Sequence, residues 1–151
     1  MVRAGSSTRI RESTVEQRVL RSIRRRSGVV ILRSDLTKLG GTSQLTRVLA
    51  KLVTALTLIR VGHGIYCKTR INRFTGRLAP AATFEAIVSE VFERLGIDIG
   101  PGKLFREYNA GKSTQIPMQM TITTGARRVT RCIKLGTRTV AYETMSGRVK
   151  K

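Results

Sequence analysis

The chain has 151 residues, 29 of them Lys or Arg and 9 Asp or Glu, for a formal net charge of +20. A hydrophobic share of 40% at this length supports a packed core in one ordinary domain or two very small ones, and excludes wholesale disorder. So basic a chain needs an acidic partner, nucleic acid before an anionic membrane surface, because each neutralised phosphate releases a condensed counterion.

The first predicted element is a helix opened by the capping-box signature Ser13-Thr14-Val15-Glu16. Val15, Val19 and Ile23 recur every four residues with Leu20 beside them, Arg18, Arg21, Arg24, Arg25 and Arg26 fall largely off that face, and Gly28 stops the helix. Val29-Val30-Ile31-Leu32 reads as a short buried strand. Ser34 is a candidate N-cap for a second, short helix carrying Leu36 and Leu39 and ending at Gly40-Gly41. Thr42 or Ser43 then caps a third helix running to about Leu56, with Leu45, Val48, Leu49, Leu52, Val53 and Leu56 on its apolar face. Leu58 to Val61 and Ile65 to Cys67 read as strands of a hairpin turning at Gly62-His63-Gly64. Helix, strand, helix, glycine turn, helix, hairpin is the order of a winged helix-turn-helix.

The stretch Arg73-Phe74-Thr75-Gly76-Arg77-Leu78-Ala79-Pro80 reads as a boundary, since Gly and Pro punctuate it. Charge density also drops there: residues 1–77 hold 17 basic and 3 acidic residues (+14), and residues 78–151 hold 12 and 6 (+6). Beyond it, Pro80 precedes a helix with Phe84, Ile87, Val88, Val91, Phe92 and Leu95 on one stripe, ending at Gly96. A shorter helix spans about Pro101 to Ala110, showing Leu104, Phe105 and Tyr108. Ile116, Met118, Met120 and Ile122 then alternate with polar residues at strand period. A turn at Gly125 leads to Val129, Arg131, Ile133 and Leu135, and a turn at Gly136 leads to Val140 and Tyr142. The predicted fold class is therefore α+β: an N-terminal winged helix-turn-helix followed by a small two-helix, three-stranded antiparallel domain. The predicted division is a basic flexible arm over 1–13, with Arg3, Arg9 and Arg11, then domains over 14–76 and 77–151. The tail from Arg148 to Lys151 is expected to fray.

A major groove admits one helix, whose first turns reach base edges with short polar side chains. The third helix offers Ser43, Gln44, Thr46 and Arg47 there, Gln suited to adenine and Arg to guanine, with Lys51 one turn further for a phosphate. Arg60 and His63 on the hairpin would meet backbone or minor groove, and Arg33 and Ser34 would lie at a phosphate held by the second helix's amides. The rival reading is a solvated face on a three-helix unit, and the absence of any acid between Asp35 and Glu85 favours DNA. The Arg24-Arg25-Arg26 run is open between a phosphate contact and a solvated helix end.

Catalytic patterns are missing. His63 is the only histidine, which removes most His-based schemes. Glu85, Glu90 and Glu93 read as the exposed side of an amphipathic helix. Ala110-Gly111-Lys112-Ser113 is similar to the end of a Walker A loop, but Arg106 stands where its first glycine belongs and Pro117 denies it a following helix. Cys67 and Cys132 are too few for a disulfide framework, lack zinc-site spacing, and read as small buried hydrophobes. No enzyme activity, metal or cofactor is expected. No apolar run reaches the ~18 residues of a spanning helix and no signal peptide is read, so a cytoplasmic protein with no membrane partner is expected.

Two motifs carry a family resemblance. Leu58-Ile59-Arg60-Val61-Gly62-His63-Gly64-Ile65-Tyr66 resembles the wing signature of AbiEi-like antitoxins of type IV toxin–antitoxin systems. Ser113-Thr114-Gln115-Ile116-Pro117, an alternating strand, and basic strands ending Thr139-Val140-Ala141-Tyr142-Glu143 resemble the C-terminal region of the same group. The resemblance covers about residues 14–145. It implies a transcriptional repressor of its own operon, bound to promoter inverted repeats, whose second domain counters a nucleotidyltransferase-like toxin. Relatives often carry Arg where this chain has His63, so a specific minor-groove contact there is not implied. A palindromic operator would bring two copies together. The alternatives are a general nucleic-acid or RNA-binding basic protein, such as a ribosome-associated factor, and a phage-encoded factor that binds an acidic host protein.

Overall fold

The computed structural model describes residues 13–115, 118–144 and 148–150. Residues 1–12 of the predicted arm, with Arg3, Arg9 and Arg11, the Ile116-Pro117 step of the second motif, and Lys151 of the tail lie outside the described residues. The chain is a mixed α+β protein with four α-helices and mainly antiparallel strands among the described residues. No described helix is long and apolar enough to cross a membrane.

Helix α1 (Val15–Arg25) is capped by Thr14, whose hydroxyl accepts from Gln17 N while the Gln17 side chain accepts from Thr14 N. The box thus lies one residue later than Ser13 and Glu16 would place it, and Glu16 is free to pair elsewhere. Strand β1 (Val30–Leu32) is buried throughout. The predicted second helix is a single 3-10 turn, Arg33–Leu36, in which Ser34 is an interior residue rather than a cap. The Asp35 carboxylate accepts from Leu32 N at 3.1 Å and closes that turn.

Helix α2 (Thr42–Thr54) starts from Gly41, not from a Thr42 or Ser43 cap, because the Gln44 side chain reaches back to Gly41 N at 3.0 Å. It ends before Leu56, which takes a left-handed φ of 58°. Leu56 N and Thr57 N donate to Val53 O and Leu52 O, the double bond of a Schellman ending with leucine in place of the usual glycine. Leu56 is consequently exposed rather than on the apolar face.

Strands β2 (Leu58–Gly62) and β3 (Ile65–Ile71) form the predicted hairpin, with Gly64 at φ 66° in its turn. The pairing shifts by one residue between Arg60 and Gly62, an irregularity of the kind that bends and twists a strand. The sheet order is β1-β3-β2, and the far end of β3 pairs with β4 (Leu78–Pro80).

This sheet has two buried faces. Ile31, Leu58 and Tyr66 pack with Val19 and Ile23 of α1 and Leu45, Leu49 and Leu52 of α2. Val30, Leu32, Val61, Ile65 and Cys67 point the other way, onto Phe84, Ile87, Val88, Val91 and Phe92 of helix α3 (Phe84–Arg94), with Ile122, Ile133 and Val140 in the same core. The second half of the chain therefore covers the back of the first half's sheet.

The second half is not a three-stranded meander. Strand order is β10-β9-β6-β5, with β5 (Gly100–Pro101) antiparallel to β6 (Thr121–Thr123), β6 parallel to β9 (Ala141–Glu143), and β10 (Val149–Lys150) antiparallel to β9. Helix α4 (Lys103–Asn109) lies between β5 and β6, and β7 (Lys134–Leu135) and β8 (Arg138–Thr139) form a separate small hairpin. Of the described residues in the alternating stretch 118–122, only Thr121 and Ile122 are strand, and Met118 is 97% exposed. Val149 and Lys150 pair with β9 instead of fraying.

Candidate nucleic-acid interface

Helix α2 turns Leu45, Leu49 and Leu52 inward, so its opposite face is fixed outward by the 3.6-residue period. Ser43, Gln44, Thr46, Arg47 and Lys51 are all exposed on it. Their availability differs. Arg47 and Ser43 make no side-chain hydrogen bond or ion pair with any described residue. Gln44 Oε1 is held by Gly41 N, so a two-pronged contact with adenine would have to release that bond. Lys51 Nζ lies 2.7 Å from Glu16 Oε2 of α1. Lys51 is exposed and Glu16 half-buried at the surface, where such a pair contributes only about 0–1 kcal/mol, so a phosphate competes for Lys51 at little cost.

Arg33 and Thr46 act as a brace. Arg33 Nη2 donates to Thr42 O at 3.0 Å and to Thr46 Oγ1 at 2.8 Å, while Arg33 N donates to Gly64 O at 2.9 Å. One residue thus ties the hairpin turn to the first turns of α2. Thr46 Oγ1 in turn donates to Thr42 O. The amides of Leu32 and Arg33 are taken by Asp35 and Gly64, which leaves those two unavailable for the phosphate expected near Ser34. Ser34 is exposed and its carbonyl accepts from Thr37 Oγ1. His63 is exposed at the hairpin turn, and Arg60, also exposed, folds its Nε toward Gly62 O at 3.3 Å. Strand alternation puts Arg60 on the same sheet face as Leu58 and Tyr66, the face that α2 covers.

A polar cluster that periodicity did not reveal anchors this assembly from behind. Glu90 is not a solvent-facing residue of α3: its carboxylate accepts from Val29 N at 3.1 Å and Val30 N at 3.0 Å on the free edge of β1. A Cβ at Gly28 would collide with that carboxylate, so the glycine admits it. One helical turn on, Arg94 donates to Val30 O at 2.6 Å and pairs with Asp35. Arg26 also faces Asp35, at 3.7 Å, and its carbonyl accepts from Lys68 Nζ, whose pKa burial pushes below the ordinary lysine value. Arg26 is thereby drawn away from the exposed Arg24 and Arg25. Glu90 and Arg94 stand one helical turn apart on α3, and only the fold brings β1 to them.

Cys67 is buried, and burial raises its thiol pKa; Cys132 is exposed, contrary to the reading of both as core residues. Among the described residues no group of three or more His, Cys, Asp or Glu side chains is placed to hold a metal ion.

A family model described as a family of unknown function, DUF6088, matches residues 16–149. No curated protein matches the chain.

Proposed function

The chain belongs to the DUF6088 family, and from its own residues we propose that it is a sequence-specific DNA-binding transcriptional repressor built on an N-terminal winged helix-turn-helix. One observation carries the reading. Helix α2 presents an outward face with Arg47 and Ser43 unpartnered among the described residues, locked by Arg33 to a hairpin turn, in a stretch without an acid between Asp35 and Glu85. A helix and hairpin fixed relative to one another suit a groove and the adjacent backbone of a duplex. In this reading Arg47 reads a base edge, Gln44 and Ser43 assist, Lys51, Arg60 and His63 meet phosphates or the minor groove, and Arg33, Thr46 and Ser34 set the geometry.

The resemblance of the hairpin and of Thr139–Glu143 to AbiEi-like antitoxins extends this proposal to an autoregulating type IV antitoxin. Such a protein acts in the cytoplasm on promoter inverted repeats and counters a nucleotidyltransferase-like toxin. A general nucleic-acid or RNA-binding role is the second reading, favoured by a charge of +20 that spreads into both halves. Gel shifts of the intact chain on DNA upstream of its own coding sequence, on random duplex and on RNA separate the two. The repressor reading expects the upstream duplex to bind tightest at moderate salt, and equal affinity for all three would overturn it.

A further inference from the structure

We propose that the segment 127–134 is a second phosphate-binding surface, continuous with the β2–β3 hairpin, that grips the nucleic-acid backbone beside the groove engaged by α2. It rests on the duplex-binding reading above and assigns a DNA contact to the second half of the chain.

Three observations carry it. The first is position: a Cβ built on Gly62, next to the hairpin turn, would meet Cys132 O at 3.0 Å, so the backbone of this segment lies directly against the hairpin. The second is rigidity. Ile133 is fully buried in the shared core, Val129 packs against that core, Val140 N donates to Ile133 O at 3.0 Å, and Tyr142 Oη donates to Arg131 O at 2.6 Å. The segment is thus pinned, and its charged side chains are presented from a fixed base. The third is charge. Arg128, Arg131 and Lys134 are exposed and pair with no described residue, and no Asp or Glu occurs between Glu107 and Glu143. Three cations with no described partner, on a segment that lies against Gly62 of the hairpin, extend the basic surface past it. Cations without stacking aromatics or a pocket fit phosphates rather than bases.

The test is fluorescence anisotropy of the full chain with a short mixed-sequence duplex across a KCl titration. The triple variant Arg128→Gln, Arg131→Gln, Lys134→Gln is compared with a control that removes equal charge, Arg70→Gln, Arg73→Gln, Arg77→Gln. The control residues are exposed and sit toward the opposite end of β3, whose seven residues span roughly 20 Å. Each phosphate contact adds about 0.9 to the slope of log K against log salt, so the first variant is expected to lose up to about 2.7 of slope and at least tenfold in affinity at low salt. The control is expected to keep most of the slope, and both are expected to unfold at the wild-type temperature. An unchanged slope in the first variant, or an equal loss in the control, overturns the second surface while leaving the α2 reading intact. No duplex binding by the wild-type chain at low salt overturns the functional reading, and this inference with it.

Discussion

Arg94 Nη2 on α3 lies 2.6 Å from Asp35 Oδ2 in the 3-10 turn that precedes α2. Both side chains are largely removed from solvent, and the same guanidinium holds Val30 O. A helix of the second half thereby fixes the turn from which α2 departs. Arg94→Met removes one partner of this pair and leaves Arg26 as the only cation on the Asp35 carboxylate among the described residues. Loss of one member of a well-buried pair costs about 3–5 kcal/mol, and the partial exposure here reduces that to about 2–3 kcal/mol. Urea unfolding of the variant measures it, and a change below about 0.5 kcal/mol would remove the pair from the account.

Deleting residues 78–151 tests the same coupling more severely. The deletion strips the cover from Val30, Leu32, Val61, Ile65 and Cys67. An exposed apolar face of that extent favours association over a monomeric fold. The remaining fragment, residues 1–77, is expected to aggregate or to lack a sharp thermal transition. A monomeric fragment that melts cooperatively and binds duplex as the intact chain does would contradict this.

Leu56 closes α2 in a left-handed conformation, at a cost of about 1–2 kcal/mol for a residue with a Cβ. Leu56→Gly relieves it and gives back part through the looser unfolded chain. Because Leu56 is 54% exposed, little packing is lost. A net stabilisation of about 0.5–1 kcal/mol is expected in thermal unfolding, and destabilisation would show that the Leu56 side chain contributes more than its backbone costs.

Tyr142 supplies a pH signature. Burial first, and the nearby Cys132 second, push its hydroxyl up to about 12, with Arg131 opposing. In the unfolded chain the phenol ionises near 10, so between about 10 and 12 the folded state binds the extra proton. Its contribution is complete below pH 10 and lost as pH rises toward 12. Absorbance titration near 295 nm should show that Tyr142→Phe loses a late-ionising component present in the wild type. The variant should also have a flatter alkaline limb of stability, and identical limbs would refute the assignment.

How legible the sequence was differs between the two halves for a physical reason. The helix faces of Val19–Ile23 and Leu45–Leu52, and the glycine turn at Gly64, are local patterns long enough to be read by period. The second half uses strands of two or three residues, too short for alternation to register, and the parallel pairing of Thr121–Thr123 with Ala141–Glu143 is non-local. At the candidate site, residue type and exposure were readable for Ser43 and Arg47, whereas the bracing role of Arg33 depends on Gly64 and Thr46 arriving from two other elements. Glu90 looked like a surface acid because nothing in its own helix announces the β1 edge.

The central claim is that the outward face of α2 reads duplex sequence, and the most direct measurement is selection from a random duplex pool with the intact chain and with Arg47→Ala. The account predicts that the wild type enriches a defined inverted repeat. It predicts that the variant binds about 1–3 kcal/mol more weakly and loses preference at one guanine of each half-site. No enriched motif with the wild type, or an unchanged motif with Arg47→Ala, would contradict it.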